Sequence, residues 1–511
     1  MTFKTTLKPV ALAVMAMVAA GAAQAGETIT LENGVNIDWR LTTNYTLATR
    51  VKNADPLLAN NAAANDGDNN FKKHALTANR LSALFEGKVS RGDTGFSLSA
   101  STFYDDVYHG KNDNTGNKVS KPGAVNEFTD EAKKYHGGYS RILDAYGYTS
   151  FDMGSARTTL RLGRQAVNWG EAVFFPNMAQ AQGPFDGTKS GVAGTETKDV
   201  ILPEDQLVAS IEVTPRWTLL GQAQFGFHPT IAPAPGSFLN SSDGVGPGGT
   251  CLGVYAGPTC YGMKRGADIT PSKTGQWGIG TRYRVTDETE AGLYYLNYND
   301  RTPLPVIKPI SATAGSYQVK YFDDIKLVGA TVSTKVLNNT SGYAELTHRD
   351  GVPVLVGALG TPTRAKATQL NVGTFTNFGR TPFADSVNLL GEISTVKYSG
   401  YNGPKSGLTF KTDAGTALST TLVLGYPGIF EGWDLTVPVS YSQQLSGRTL
   451  LGGVGGKGDK RYSIGASFTR LGNLSIGLTY LGYAGGASLA PITNRLLADR
   501  DQLSLSMKYV F

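Results

Sequence analysis

The sequence predicts an all-β protein, an antiparallel transmembrane β-barrel of about 18 strands with long extracellular loops. Two observations predict this fold. Many segments alternate between apolar and polar side chains, which gives a strand one dry and one wet face. The connections between these segments are alternately short and long, as in barrels with tight turns at one end and extended loops at the other.

The strands are predicted from the two-residue period. Between Val35 and Val51, residues Ile37, Trp39 and Leu41 alternate with polar neighbours, and 9 to 11 residues suffice to cross a bilayer as a tilted strand. Further strands are predicted near 76–90, 95–105, 143–153, 157–166, 206–213, 217–227, 274–285, 289–299, 325–336, 340–348, 367–378, 387–399, 416–427, 433–444, 460–470, 473–484 and 501–511.

The last of these segments ends on Phe511 and resembles the closing strand of a bacterial outer-membrane β-barrel. We expect it to pair with the first strand, which closes the barrel and leaves no exposed edge. From resemblance, Phe511 is also expected to be the signal for the barrel-assembly machinery. An edge strand of a soluble sheet is the alternative interpretation of this segment alone.

The connections support the barrel more strongly than any single strand does. Short ones lie, for example, at Arg91 to Thr94 and at Leu471 to Gly472, whereas 106–142, 167–205 and 228–273 are long. The alternation predicts an even strand number, with both termini in the periplasm. A soluble adhesin or a β-helix is the remaining alternative, since glycine-rich alternating sequence also builds those folds.

The amino terminus has the features of a secretory signal peptide, predicted over residues 1–25. Lys4 and Lys8 precede an apolar run, and Ala23-Gln24-Ala25 is a small-x-small cleavage site. The run is too short to span a bilayer as a helix. We therefore expect export through the Sec pathway, a single barrel domain over 26–511, and a location in the bacterial outer membrane among its lipids.

Composition excludes one class of partner and suggests one covalent link. Residues 26–511 carry 45 basic and 41 acidic residues, a net charge of +4 that is too weak to indicate nucleic-acid binding. The two cysteines, Cys251 and Cys260, lie close together in a glycine-rich stretch. In an oxidising envelope they are expected to form a disulfide; a metal pair is disfavoured because no histidine lies nearby.

Aromatic residues are expected to fix the depth of the barrel in the membrane. Trp39, Trp217, Trp277 and Trp433 lie near predicted strand starts and are assigned to a girdle on the periplasmic side.

The polar faces of the strands are expected to line the lumen. A barrel of this size encloses an aqueous channel unless loops fill it. The predicted lumen residues are Asn36, Asp38, Arg40, Arg80, Glu86, Lys88, Arg157, Arg161, Gln222, Gln224, Gln276, Arg282, Arg284, Glu345 and Arg461. Such charges either contact solute or pair across the wall to hold its shape.

One long connection is predicted to fold into the barrel. The segment after the strand at 157–166 reads Val167-Asn168-Trp169-Gly170-Glu171-Ala172-Val173-Phe174-Phe175-Pro176, and its aromatic content would be costly on an exposed loop. The candidate channel-lining residues are Arg40, Arg161, Arg164, Trp169, Glu171, Phe174, Phe175, Arg282 and Arg284. The alternative is a loop that simply packs on the inner wall.

The same region carries a family resemblance. The run Leu160-Arg161-Leu162-Gly163-Arg164-Gln165-Ala166-Val167-Asn168-Trp169-Gly170-Glu171 resembles the signature of a domain-of-unknown-function family of proteobacterial outer-membrane proteins. Further similarity lies at Val200–Pro203, Gly275–Gly278, Tyr294–Tyr298 and Tyr321–Leu327. Gly183–Asp186 departs from the Asn-Pro-x-Asp stretch that is usual in the family. The resemblance implies a barrel associated with catabolism of, or response to, hydrophobic compounds, and it implies no catalytic residue.

No motif of an enzyme or cofactor site stands out. The five histidines are scattered, no metal or cofactor is expected, and the glycine-rich run Gly452–Gly458 lacks the features of a phosphate-binding loop. His348-Arg349-Asp350 lies at the outer end of a strand and makes a barrel-rim hydrolase the remote alternative. Because adjacent side chains of an extended strand cannot converge on one site, such a site would need a partner from another loop.

The sequence therefore predicts a non-enzymatic outer-membrane barrel that takes up or handles a hydrophobic or amphipathic small molecule, of the sterol, terpenoid, long-chain or sphingoid lipid class. The alternative is a surface barrel that binds a lipid or a partner without transport. A periplasmic or inner-membrane transport partner is left open.

Overall fold

Eighteen antiparallel strands form the wall of a closed barrel in the computed structural model, which describes residues 26, 28–116, 119–311 and 314–511. In chain order the strands are β1 (Ile29–Thr30), β2 (Asn36–Arg50), β3 (Leu76–Arg91), β4 (Thr94–Asp105), β5 (Ser140–Met153), β6 (Ala156–Gln165), β7 (Glu204–Thr214), β8 (Trp217–Gln224), β9 (Cys251–Ala256), β10 (Thr259–Arg265), β11 (Gln276–Arg284), β12 (Thr289–Tyr298), β13 (Leu304–Ser311), β14 (Ala314–Lys320), β15 (Ile325–Leu337), β16 (Thr340–Val356), β17 (Thr361–Thr381), β18 (Ala384–Ser399), β19 (Ala414–Phe430), β20 (Trp433–Gly447), β21 (Lys460–Arg470), β22 (Leu474–Ala484) and β23 (Gln502–Val510).

The wall consists of β2–β8, β11, β12 and β15–β23, which are the eighteen strands that the sequence predicts. The helical segments are short, about one turn each. They lie at Pro56–Ala59, Asp66–Asn69, Asp106–His109, Asp130–Ala132, Lys133–Gly137, Met178–Gln182, Gly187–Lys189, Thr197–Val200 and Lys405–Gly407. Among the described residues, no helix is long and apolar enough to cross a membrane. The predicted signal peptide, residues 1–25, lies outside the described residues.

The barrel closes between its first and last wall strands. β2 pairs with β23 from Thr42 opposite Val510 to Arg50 opposite Gln502. Every wall strand therefore has two hydrogen-bonded neighbours, and no backbone edge faces the hydrocarbon. This confirms the closure expected from the terminal strand.

The two faces of the wall differ as the two-residue period requires. On β23, Leu503 and Leu505 lie on the outside and are 38% and 45% exposed, while Gln502 and Ser504 point inward and are buried. Directly paired residues share a face, so the same assignment extends from strand to strand around the barrel. The outer face is apolar and the lumen face is polar, as membrane barrels require.

Short and long connections alternate, except that β16 and β17 are joined by only four residues, and the alternation defines a turn end and a loop end of the barrel. At the turn end, for example, β3 and β4 are joined by two residues, of which Gly92 has φ 55°. Such barrels place short turns in the periplasm and long loops outside the cell. Trp39, Trp217 and Trp433 lie at the turn end, but Trp277 begins β11 at the loop end, beside Tyr295. The assignment of Trp277 to the periplasmic girdle was therefore wrong.

The long loops pack together into a cap at the loop end. Its apolar centre consists of Phe71, Tyr108, Phe128, Ala132, Ala234 and Phe238. Beside it, two fully buried arginines are paired with carboxylates: Arg50 with Asp499 at 2.9 Å and Arg500 with Asp68 at 2.8 Å. Buried charges that lack partners are costly, so these pairs fix the loops in one arrangement.

The cap carries a second sheet that the sequence did not predict. β9 and β10 form a hairpin joined by the Cys251–Cys260 disulfide, β13 and β14 form another, and β10 pairs with β14 in parallel. On β14 the buried residues Tyr317 and Val319 alternate with less buried neighbours. That alternation, within a segment interpreted as a loop, was the signal that could have revealed this sheet.

Candidate functional site: a loop folded into the barrel

The connection between β6 and β7, residues 166–203, lies inside the barrel and is called the lumen loop. Its first half contacts β11, β12 and β16–β18, and its second half contacts β2, β3, β5 and β23. These two groups of strands belong to different sides of the wall. The lumen loop therefore crosses the interior, as the sequence predicts for one of the long connections.

A buried carboxylate on β16 holds the backbone of the first half. Glu345 accepts hydrogen bonds from the N–H groups of Glu171 at 2.6 Å, Ala172 at 3.0 Å and Met178 at 2.6 Å. It is fully buried and forms no salt bridge with any described residue. Backbone amides thus supply the donors that a buried carboxylate requires.

A second carboxylate, Glu392 on β18, does the same for the adjacent residues. It accepts from the backbone N–H groups of Val173 at 2.7 Å, Phe174 at 3.1 Å and Phe175 at 3.1 Å. The Tyr343 hydroxyl at 2.6 Å and the Asn371 amide at 2.7 Å complete its partners. Together, two wall carboxylates bind six amides of one loop segment.

The Trp-Gly-Glu element explains how the lumen loop reaches these carboxylates. The Trp169 indole is buried and stacks on Tyr294, with ring centroids 5.9 Å apart. Arg282 donates to the Trp169 carbonyl at 3.1 Å and to the Tyr294 hydroxyl at 3.0 Å. A Cβ atom on Gly170 would lie 2.5 Å from a carboxylate oxygen of Glu345. Only glycine permits this close approach.

A buried amide extends the anchor toward the loop end. Asn177 accepts hydrogen bonds from Thr347 at 2.5 Å and from the Arg349 guanidinium at 2.8 Å. Arg349 is fully buried and also donates to Gln369 at 3.0 Å. The network ties the lumen loop to β16 and β17 through polar groups that are all out of contact with bulk water.

The second half of the lumen loop is held by charged groups. Lys198 pairs with Asp144 at 2.8 Å and with Glu86 at 3.0 Å, and Glu196 pairs with Lys508 at 3.3 Å. A cavity of only about 30 Å³ remains between this half and the wall at β2, β3 and β23. That is room for about one water molecule, so this side is closely packed.

Lys189 in the same half is buried with its ammonium over the Phe103 ring, 3.4 Å from the centroid. Burial, aided by repulsion from Arg80, lowers the pKa of Lys189 to about 7. The lumen loop therefore carries one amine whose charge changes near neutral pH.

Several predicted lining residues face the lumen. Arg40 is exposed there and is paired with Glu86, with 2.9 Å between Nε and Oε2, and Arg161 points inward beside Tyr146. Glu171 and Arg284 line a cavity of about 460 Å³ at the turn end, which we call the turn-end vestibule.

Other residues that were predicted to line the channel attach the lumen loop to the wall instead. Trp169 and Phe175 are buried between the lumen loop and the wall, so the expectation that they line the channel is corrected. Arg282 holds Trp169, as described above. Phe174 is half-buried, while its neighbours Val173 and Pro176 are exposed to the lumen.

Arg164 lies on the outer face, which corrects its assignment to the constriction. It shares that face with Leu162, and its guanidinium binds Asp205 at 2.8 Å at the loop end. Arg161 and Arg164 are three residues apart, and a strand places residues at odd separations on opposite faces.

Beside Arg164, possible metal-ligand atoms of Glu204, Asp205 and His228 lie within 4.8 Å of one another. Their carboxylates already bind Arg164, Arg301 and His228, so the group is explained as an ion-pair cluster.

The residues considered for a rim hydrolase are separated. His348 lies on the exposed outer face and bonds to Thr368 at 2.9 Å, whereas Arg349 is buried in the lumen and Asp350 pairs with Lys366 at 3.0 Å. The three side chains form no common site.

The sequence analysis missed Glu392, Asn177 and Arg349 as site residues. Glu392 lies in a predicted strand, and its cross-strand neighbours are Gly373 and Ser419. A carboxylate in a membrane strand with no cation beside it was the signal that its partner comes from elsewhere.

The wall opposite β6–β12 is lined by small hydroxyl side chains. Ser419 bonds to Ser442 at 2.7 Å, Thr421 to Ser440 at 2.8 Å and Thr469 to Ser475 at 3.0 Å, all between neighbouring strands of β19–β22. Such side chains leave more space than the aromatic and charged residues on the other side.

At the loop end, the cap contains two clefts of about 680 and 540 Å³ on either side of Lys72 and Lys73. These clefts lie at the loop end of the barrel, and the turn-end vestibule lies at the opposite end.

A closed barrel with an apolar exterior, a polar lumen and an infolded loop defines the class of outer-membrane β-barrel proteins. The chain belongs to the family described as "Protein of unknown function (DUF1302)", whose sequence profile matches residues 6–511. This confirms the resemblance seen in the sequence.

Solved bacterial structures that are similar to this chain include the following three. OccAB1 of Acinetobacter baumannii is 11% identical with a TM-score of 0.45, covering 94% of this chain and 97% of that one. The outer membrane channel DcaP of Acinetobacter baumannii is 11% identical with a TM-score of 0.41, covering 96% and 100%. Pseudomonas aeruginosa OpdK, solved with vanillate, is 10% identical with a TM-score of 0.43, covering 93% and 98%. A comparison with curated proteins found no matching relative.

Proposed function

We propose that the protein is a non-enzymatic channel of the bacterial outer membrane that takes up a hydrophobic or amphipathic small molecule, and that the lumen loop is its gate. The observation that carries the proposal is the attachment of the lumen loop. It crosses the barrel between the cap clefts and the turn-end vestibule and is held there by hydrogen bonds and ion pairs, which can break and re-form.

The lining of the lumen supports an amphipathic solute. Val173 on the lumen loop is 55% exposed, and Pro176 is also exposed, so apolar surface faces the interior. The wall of β19–β22 offers hydroxyl groups. A solute with an apolar body and a polar group finds partners for both parts.

The proposed cellular route follows from the sequence. Residues 1–25 would direct export through the Sec pathway, and Phe511 would be the signal to the barrel-assembly machinery. Phe511 packs edge-on against Tyr509 at 4.6 Å, and its N–H donates to the Leu41 carbonyl at 2.8 Å. A periplasmic or inner-membrane partner would receive the solute at the turn end.

The proposal is tested by deleting residues 169–176 and measuring uptake of a labelled long-chain alcohol into proteoliposomes. Because these residues carry five of the six amides that Glu345 and Glu392 bind, the deletion is expected to increase uptake. A variant with the same residues replaced by Gly and Ser keeps the length and the backbone amides of the lumen loop but removes the buried side chains of Trp169 and Phe175, so it separates the effect of their packing from the effect of truncation. If both variants assemble into barrels and their uptake equals that of the wild type, the proposed role of the lumen loop as a gate is excluded.

A second function is favoured by the clefts of the cap. The larger one, about 680 Å³, is lined by polar residues together with Phe71, Ala54 and Ala59, and it is open to the outside. A site that captures an amphipathic molecule without transporting it would have these properties. Binding of the labelled alcohol by the intact protein, with no uptake by either loop variant, would support a binding barrel instead.

A further inference from the structure

Two tyrosines and two cations form a patch on the lumen wall near the turn end. Tyr146 and Tyr148 are two residues apart on β5 and point inward, with Lys88 on β3 and Arg161 on β6 beside them. The Lys88 ammonium lies 5.4 Å from the Tyr148 ring centroid, and the Arg161 guanidinium lies 5.9 Å from the Tyr146 centroid. We call these four residues the tyrosine–cation patch.

The strand register brings the four residues together. Tyr148 is directly opposite Arg161, and Ser97 on β4 is opposite both Lys88 and Tyr146. Gly95 on β4 leaves space for the ring of Tyr148, since a Cβ atom there would lie 2.5 Å from the tyrosine hydroxyl oxygen. The ring of Tyr148 therefore lies against the backbone of β4.

The two cations of the patch lack carboxylate partners within the described part of the chain. Other lumen cations are paired, for example Lys198 with Asp144 and Lys508 with Glu196. Asp38 stands opposite Lys88 in the register, but it accepts a hydrogen bond from Thr28 and forms no salt bridge with Lys88 among the described residues. Two positive charges thus face the lumen without an ion pair to any described residue.

We propose that the tyrosine–cation patch binds the anionic group of an amphipathic solute, such as a carboxylate, while the tyrosine rings hold the adjacent apolar part. A guanidinium binds a carboxylate through two parallel hydrogen bonds, and an ammonium adds a third donor and a second charge. The inference rests on the proposed channel function and narrows its substrate class to acidic amphiphiles.

The test compares an acid with its neutral analogue. 4-Phenylbutanoate and 4-phenylbutan-1-ol share an apolar part and differ in charge. Uptake of each into proteoliposomes is measured for the wild type and for the Lys88→Gln/Arg161→Gln double variant. The wild type is expected to take up the acid faster than the alcohol. In the double variant, the ratio of acid uptake to alcohol uptake is expected to be about tenfold lower.

Lys326→Gln is the matched control, since Lys326 is an exposed cation on the outer face of β15. The inference is overturned if the double variant keeps the wild-type ratio or if Lys326→Gln lowers it equally. Equilibrium dialysis of 4-phenylbutanoate with the purified proteins distinguishes failure of the proposed binding site from failure of the proposed channel function. If the wild type binds 4-phenylbutanoate but does not take it up, and the double variant does not bind it, the proposed channel function is refuted and the proposed binding site is supported.

Discussion

Replacing Glu392 by glutamine is expected to release the lumen loop. The carboxylate has five hydrogen-bond donors around it, two at one oxygen and three at the other. A glutamine has only one acceptor oxygen, and its amide nitrogen cannot accept from an N–H group. In the better of its two orientations it therefore loses the bonds from Phe175 and Asn371.

The magnitude follows from the number and kind of bonds. Of these two bonds, only the one from Phe175 belongs to the lumen loop, because Asn371 lies on β17 and stays beside residue 392 when the loop is released. A hydrogen bond to a charged group contributes about 1.5–3 kcal/mol, so the loss of the Phe175 bond weakens the bound loop by about that amount. The ratio of released to bound loop is then expected to rise roughly 10- to 100-fold.

Single-channel recording in planar bilayers measures the outcome as open-state occupancy. Glu212→Gln is the matched control, because Glu212 also lies on the lumen face but forms no hydrogen bond with the lumen loop among the described residues. If Glu392→Gln assembles and conducts like the wild type and the control, the reasoning about the carboxylate anchors is refuted.

Three further changes test other parts of the structure. Burial, aided by Arg80 and Lys189, lowers the pKa of His136 to about 3, so its stabilising contribution is complete above pH 6.5 and is lost as the pH falls towards 3. At pH 5 the cap should be weaker by about 2 kcal/mol, and limited proteolysis should accelerate in the wild type but not in His136→Gln; equal acceleration would contradict this. Trp169→Ala should weaken the attachment of the lumen loop by about 3–5 kcal/mol and should speed amide hydrogen exchange at 167–178. Unchanged exchange would show that the indole does not anchor the loop. Cys251→Ser with Cys260→Ser should loosen the β9–β10 hairpin by about 2–3 kcal/mol, measured as protease cleavage there, while barrel unfolding stays unchanged.

The wall was predictable because its two faces meet different solvents. Lipid outside and water or polar groups inside select side chains at every second position, so Leu503 and Leu505 reveal their face without any knowledge of their neighbours. The same rule shows why Arg164 was misplaced. Arg161 and Arg164 belong to one motif, but their odd separation puts the two side chains on opposite faces of β6.

The anchors of the lumen loop were not predictable by this rule. Glu392 binds amides of residues 217 to 219 positions earlier in the chain, and backbone amides are identical in every residue. The cap sheet was missed for a related reason. Its β10–β14 pairing joins distant segments on the membrane's outer side, where no lipid face imposes a long regular period.

The two halves of the lumen loop respond differently to ionic strength. The ion pairs of Lys198 and Glu196 are partly exposed, so dissolved salt screens them, whereas Glu345 and Glu392 are buried beyond its reach. Concentrated salt therefore weakens the ionic attachment of the second half, which the buried Lys189 and the hydrogen bonds from Thr46 and Gln502 still hold in place. The carboxylate anchors of the first half keep their strength, so the attachment of the lumen loop becomes asymmetric as the ionic strength rises.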